Sequence, residues 1–194
     1  GDDNALCCND NELCSSITCT AGTTPDSSAA NTPCAGATCD PTGTDNALCC
    51  NENSCSAVGT FNEGVLTGET NGCTTSTVLT TSTNPTCEVK CDPSIYVEQV
   101  ATITCESDST AGASPTGMPT CVERALCPTI ICAGGTSADP DATNVRCAGS
   151  TCDPTGDDNA LCCNDNELCS SITCTAGTTP DSSAANTPCA GATC

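Results

Sequence analysis

In 194 residues the chain carries 24 cysteines and 24 Asp and Glu against 3 Lys and Arg, with no His and no Trp. A net charge of −21 repels phosphates and anionic membrane surfaces, so neither nucleic acid nor membrane insertion is expected. One Tyr, one Phe and one Met leave too few large side chains for an ordinary apolar core, and cysteine at this density marks a disulfide scaffold made in an oxidising compartment.

Taken in order, the chain begins with GDDNALCCNDNELCSSITCTAGTTPDSSAANTPCAGATC at 1–39, and that stretch returns unchanged at 156–194, a period of 155 residues. Residue 1 is Gly rather than Met, so the chain reads as a piece cut from a longer tandem array. From Cys14 the cysteines follow C-x4-C-x14-C-x4-C-x9-CC, as Cys14, Cys19, Cys34, Cys39, Cys49 and Cys50. The same spacing recurs as Cys127, Cys132, Cys147, Cys152, Cys162 and Cys163. A third run starts at Cys169, Cys174, Cys189 and Cys194. The cysteine pattern divides the chain into the end of a short module (1–13), a six-cysteine short module (14–54), a central module (55–126), a second short module (127–168) and the start of a third (169–194). The central module carries Cys55, Cys73, Cys87, Cys91, Cys105 and Cys121. Even cysteine counts favour bridges closed within modules, although six cysteines allow 15 pairings.

The expected fold is a set of small disulfide-rich modules, mostly β and irregular with little helix, strung as a tandem rod. Segments 21–33 and 133–145 are rich in Gly, Pro, Asp and Ser and read as loops. The gaps 15–18 (SSIT) and 128–131 (PTII) read as brief strands, and Asp40-Pro41-Thr42-Gly43 reads as a turn with Gly at positive φ. DDNAL fits either one helical turn capped by Asp or a plain loop. In the central module, Val65–Leu66, the Thr-rich run 74–86, Ile95–Val97 and Val100–Cys105 are the strand candidates. Adjacent cysteines on an extended chain point to opposite sides. Each pair, Cys7–Cys8, Cys49–Cys50 and Cys162–Cys163, is therefore expected to reach two different partners, one inside its module and one across the junction.

The run ITCESDSTAGASPTGMPTCVERALC at 103–127 resembles the second half of a sushi module, without the Trp and Gly-Tyr usual there. That resemblance implies a small β-module over 87–126, pictured either as a β-sandwich built on two bridges or as a looser knot. The short modules, with their CAGATC and DNALCC words, resemble the cysteine-rich tandem repeats of secreted and cell-surface proteins of protists and unicellular algae. What this implies is an extracellular place, repeated architecture and assembly into filaments or coats, with no catalytic residues.

Zinc sites use C-x2-4-C pairs, usually two per ion, and metal-thiolate clusters need C-x-C or C-x-x-C; neither cluster spacing occurs, the nearest approach being C-x3-C at Cys87 and Cys91, and with no His present bridges are the expected use of the thiols. Calcium takes six to eight oxygens, and the candidate ligands are Asp2, Asp3, Asp10 and Glu12 and their repeats Asp157, Asp158, Asp165 and Glu167. No D-x-[DN]-x-[DN]-G loop accompanies them, so solvated acidic loops are the competing reading and no other cofactor is expected. Without His, and with thiols consumed in bridges, no group is placed to act as base or nucleophile, and an enzyme is not expected. The only N-x-[ST] match, Asn84-Pro85-Thr86, is blocked by Pro, while 74–86, 23–32 and 178–187 could carry O-linked sugar. The composition and period together point to a structural, self-associating extracellular protein. The alternative is a repetitive adhesin or surface antigen, with 20–33 and 133–146 as binding tips.

Overall fold

A computed structural model describes residues 10–194. It divides into two compact units, one taking in the chain up to Lys90 with Gln99–Thr120, the other Cys91–Glu98 with Cys121–Cys194. Each is small, disulfide-rich and mostly irregular, with short antiparallel sheets and little helix, and ten disulfides hold the described residues. No helix among them is long and apolar enough to cross a membrane.

In the first unit, a 3₁₀ turn at Cys14–Ser16 leads into strand β1 (Thr23–Pro25) and a second 3₁₀ turn at Ser27–Ala29. Helix α1 (Thr44–Cys49) runs directly into β2 (Cys50–Glu52), which pairs antiparallel with β1. The segment 15–18 is thus a tight turn rather than a strand, because Ser16 N–H and Ile17 N–H bond back to Leu13 and Cys14. Val65–Leu66 falls in β4 (Val65–Thr67), and the Thr-rich run contributes β5 (Val78–Thr80), paired with β3 (Ser54–Ala57). A three-stranded sheet has the order β4, β6 (Thr86–Cys91), β7 (Val100–Thr104). Strand β6 is not among the sequence candidates, although its signal is present: Cys87, Val89 and Cys91 alternate as buried residues with Thr86, Glu88 and Lys90 between them.

The core is largely sulfur. Around 14–50 it consists of Cys14, Ile17, Cys34, Cys49 and Cys50, and in the sheets Leu79, Val89 and Ile103 are the large aliphatic side chains fully enclosed. Three bridges lie within 14–50: Cys14–Cys49, Cys19–Cys50 and Cys34–Cys39. In the chain-entropy treatment a loop of the Cys14–Cys49 length contributes roughly 4 kcal/mol, more than one buried aliphatic side chain. Two further bridges are Cys55–Cys105 and Cys73–Cys87. Because Cys87 and Cys105 both reach back to residues before 87, only Cys91–Cys121 closes inside 87–126, and a two-bridge sushi-like sandwich over that range is ruled out.

The second unit repeats the short-module path with a 3₁₀ turn at Cys127–Thr129, β8 (Thr136–Ala138), helix α2 (Asp157–Cys162) and β9 (Cys163–Asp165) paired with β8. Here too 128–131 is a turn, not a strand. Its bridges are Cys127–Cys162, Cys132–Cys163 and Cys147–Cys152, and Cys189–Cys194 follows in the third run. The segment 95–97 makes one isolated bridge, Tyr96 to Glu123, instead of a strand.

Two glycines decide the local path. Gly22 lies at φ +81°, and a Cβ there would sit 2.0 Å from the Ser107 carbonyl oxygen. Gly43 keeps φ at −105°, so the Asp-Pro-Thr-Gly turn does not use positive φ; a Cβ there would meet Asp40 Oδ2 at 2.7 Å, the far end of a side chain that would have to turn aside. Gly22→Ala is expected to lower stability by more than Gly112→Ala, whose φ of +79° carries the same backbone strain but whose Cβ would enter open space. The strain alone costs about 1–2 kcal/mol, and thermal melts of the two oxidised variants against wild type measure the extra cost of displacing Ser107.

Candidate functional site

The DNALCC word is where each short module is locked. Helix α1 ends at Cys49 and strand β2 begins at Cys50, so the backbone changes conformation between the two cysteines and sends their side chains apart. Cys49 reaches Cys14 with a Cα separation of 5.1 Å, and Cys50 reaches Cys19 with 6.0 Å. Cys162 and Cys163 repeat this with Cys127 and Cys132 at the same two separations. The cysteines of each pair do take different partners, but both partners lie in the same module. The junction-spanning role expected of Cys49, Cys50, Cys162 and Cys163 is therefore corrected, while Cys7 and Cys8 lie outside the described residues.

The other letters of the word have partners as well. Asp45, only 2% exposed, does not cap its helix; Gly43 occupies the cap position. Its carboxylate turns to the Cys34–Cys39 loop and accepts from Ala35 N–H at 2.8 Å and Asp40 N–H at 2.9 Å. Asp158 makes the same two bonds to Ala148 and Asp153, at 2.8 and 2.9 Å. A buried carboxylate is tolerated only when its lone pairs are engaged this way. Asn46 Oδ1 accepts from the N–H of Thr20, and Asn159 Oδ1 from the N–H of Ala133, tying the helix to the chain after the second cysteine. Cys34 Sγ lies 3.8 Å from Cys49 Sγ, so two bridges stack against each other.

A second word, Asn-Glu-Leu, hooks onto the module that follows it. Asn11 Nδ2 donates to the Cys34 carbonyl at 2.8 Å, and Asn166 Nδ2 to the Cys189 carbonyl at 2.8 Å. The backbone carbonyls of Glu12 and Glu167 accept from Cys34 N–H and Cys189 N–H, and their carboxylates accept from Cys39 N–H at 3.0 Å and Cys194 N–H at 3.2 Å. Where a short module follows the central one, Arg124 stands in register with Asn11 and Asn166, and its Nε donates to the Cys147 carbonyl at 2.6 Å. Asn166 N–H also donates to Gly135 O, holding the module it leaves as well as the one it enters. The equivalent Asn53 donates its N–H to Gly22 O and its side-chain amide to Ser109 O at 2.8 Å, joining the first short module to the central one. Sequence reasoning missed these hooks; the signal available was that Asn-Glu-Leu immediately precedes a first cysteine at both Cys14 and Cys169.

The calcium candidates do not converge. Asp158 and Glu167 spend their oxygens on backbone N–H groups, as does Glu12; Asp10, Asp157 and Asp165 are exposed; Asp2 and Asp3 lie outside the described residues. Among the described residues the groups of three potential metal ligands are Cys14, Cys34, Cys49 and Cys127, Cys147, Cys162, whose sulfurs are all in disulfides. A groove of about 510 Å³ in the second unit is lined by Arg124, Leu126, Arg146 and Thr151 among others. Both arginines are engaged there, Arg124 with Cys147 O and Pro93 O, Arg146 with Arg124 O and, at 3.7 Å, Glu123. No family model, curated protein or solved structure matches the chain.

Four aspartates at the surface, Asp26 among them partly covered, have a common setting. The hydroxyl and then the N–H of the residue two positions on, Ser28 for Asp26, Thr42 for Asp40, Thr155 for Asp153 and Ser183 for Asp181, hold each carboxyl below its ordinary value. The stability they contribute is fully present above the ordinary carboxylate range, near pH 4, and is lost as pH falls through their lower folded values. The melting temperature is expected to fall on acidification below about pH 4, and Asp40→Asn with Asp153→Asn should flatten that fall. Asp158→Asn places an amide NH₂ against one of two backbone donors. It is expected to cost roughly 1.5–3 kcal/mol, the scale of a hydrogen bond to a charged group, and to speed dithiothreitol reduction of Cys147–Cys152, read by thiol titration.

Proposed function

We propose that the chain is a structural subunit of an extracellular filament or surface appendage, built of tandem disulfide-stapled repeats 155 residues long. The observation that carries this reading is the hook. Asn11 and Asn166 make the same bond to the third cysteine of the following module, and Glu12 and Glu167 make the same pair of bonds around it. Equivalent head-to-tail contacts that do not close on themselves generate filaments. The ten bridges support an oxidising compartment and so secretion. The role is mechanical: cystine replaces the apolar core, and the surplus of carboxylates keeps neighbouring filaments apart in water.

Negative-stain microscopy of the oxidised protein is expected to show long regular filaments whose axial repeat is constant along their length. Dispersed particles that bind a cell surface would overturn this reading in favour of a repetitive adhesin acting through 20–33 and 133–146, where repetition gives avidity. Intact mass of protein from its native source tests O-linked sugar: a mass above that of the sequence by whole hexose units is expected if the Thr and Ser of 74–86, 23–32 and 178–187 are modified.

A further inference from the structure

Where an Asn-Glu-Leu word precedes the first cysteine, the glutamate carboxylate has a fixed seat. Glu12 Oε2 accepts from Cys39 N–H at 3.0 Å and lies 3.4 Å from Ser16 Oγ. Glu167 Oε2 accepts from Cys194 N–H at 3.2 Å and lies 3.3 Å from Ser171 Oγ. Ahead of Cys127 the word is Arg-Ala-Leu, so Ala125 stands in the glutamate's register and brings no carboxylate. The walls of the seat are kept. Thr129 Oγ1 donates to Leu126 O and lies 3.6 Å from Cys152 Sγ, as Ser16 Oγ donates to Leu13 O and lies 3.7 Å from Cys39 Sγ. Cys152 Sγ is 3.5 Å from Leu126 O, as Cys39 Sγ is 3.4 Å from Leu13 O. What differs is the acceptor: Cys152 N–H has no hydrogen-bond partner among the described residues.

Two further changes bring positive charge to the same place. Arg124 stands where Asn11 and Asn166 do, and Arg146, bridged to Leu126, stands where Pro33 and Pro188 do, bridged to Leu13 and Leu168. They are two of the chain's 3 Lys and Arg, and with Ala125, Thr129 and Cys152 they line the groove of about 510 Å³. Arg124 donates through Nε and Nη1 to the carbonyls of Cys147 and Pro93, and Arg146 through Nη1 to the carbonyl of Arg124. These bonds hold the guanidiniums in place without exhausting them, since a guanidinium carries more N–H donors than they use. Nη2 of Arg124, and Nε and Nη2 of Arg146, donate to nothing among the described residues. Glu123 reaches only the rim, with its side chain 67% exposed and its Oε2 3.7 Å from Arg146 Nη1, beyond hydrogen-bond length.

We infer that this groove binds a slender aliphatic carboxylate brought by another molecule, of the kind a glutamyl side chain carries, with its oxygens on Cys152 N–H and the guanidiniums of Arg124 and Arg146. Glu12 and Glu167 supply the chemistry of the ligand: the same seat holds a carboxylate on a two-carbon stem in both. The arginines supply the reason that an outside carboxylate goes to this one, because bonds between a guanidinium and a carboxylate are charge-assisted and geometrically matched. The chain's net charge of −21 does not forbid it. Salt screens charges farther away than about 8 Å at physiological ionic strength, so the two nearby guanidiniums outweigh the distant carboxylates. A free small carboxylate and an acidic side chain of a second copy share this chemistry. The site goes beyond the filament reading and does not rest on it.

The test is an NMR titration of the full oxidised chain, labelled with ¹⁵N, by N-acetylglutamate α-amide, whose one carboxylate is on its side chain. The Cys152 amide proton is expected to move downfield and saturate, while the Cys39 and Cys194 amides, already bonded to Glu12 and Glu167, stay where they are. The neutral glutamine analogue should move none of them. Ala125→Glu restores the residue found in the other two words, so the fold is kept; it should abolish the response and hold Cys152 at its shifted position without probe. Arg146→Gln should weaken binding at least about tenfold, the loss expected for one hydrogen bond between charged groups, and Glu123→Gln should tighten it. Dilution of wild type without probe separates the sources. A Cys152 shift that follows protein concentration, and does so no longer in Ala125→Glu, upholds the site with a second copy as donor; a constant one upholds it for a free carboxylate. No saturable shift of Cys152, an equal response to the glutamine analogue, or undiminished binding in Ala125→Glu overturns the inference. So does a Cys152 proton already downfield at every wild-type concentration and moved back by Glu123→Gln, because Glu123 is then the occupant.

Discussion

The short modules depend on one change of backbone conformation, between the two cysteines of each DNALCC word. Helix stops and strand starts there, so neighbouring side chains diverge and two bridges leave from a single point. Cys49 anchors the start of the module and Cys50 its second turn, while the strand that Cys50 opens pairs with β1. With Cys34 stacked against Cys49, the sulfur atoms form the centre that aliphatic side chains form elsewhere. Remove the divergence and the bridges, the strand pair and the core are lost together.

The polar groups obey the same economy. Few side chains are large, so the backbone is left close to solvent, and hydrogen bonds from Asp, Asn and Glu take over its positioning. Asp45 and Asp158 satisfy both shoulders of a small bridge loop, whose cysteines stand at a sequence separation of 5, from inside. Asn11, Arg124 and Asn166 satisfy one carbonyl of the same loop from the preceding module. That Arg can replace Asn shows what the position requires: a donor of the right reach, whatever its charge. The acidic words that suggest a cation site in the sequence are instead ligands for the chain's own N–H groups.

Much of the architecture was legible because cysteine spacing is a strong and local signal. Sparse helix and separate partners for vicinal cysteines both follow from spacing and residue type. What was not legible depended on which backbone groups meet. Ser15–Thr18 has the composition of a strand, yet the bridge at Cys14 and the close return of the chain favour a turn. Gly43 looks like a residue chosen for positive φ, yet it keeps φ at −105° as the cap of its helix. The 87–126 likeness to a sushi module failed because two of its cysteines reach partners outside that range, which spacing alone does not reveal. The hooks at Asn11 and Asn166 were hidden for a related reason: a side-chain amide bonding a carbonyl 23 residues away leaves no periodic trace.

Exact repetition of the locking word has a consequence for how the chain finds its fold. Every DNALCC segment is chemically interchangeable with every other, so composition cannot tell a half-module which copy belongs to it. Distance along the chain does not settle it either: Cys8 and Cys163 stand six positions before Cys14 and Cys169, while the bridges from Cys14 and Cys127 run 35 residues forward to Cys49 and Cys162. The word that is taken is the one delivered through the turn after the third and fourth cysteines, where Asp45 and Asp158 grip the backbone on either side of the small bridge loop. Each doubling of a closing loop costs only about 0.6 kcal/mol more, so a chain unfolded and reoxidised all at once is the one prone to cross-register knots.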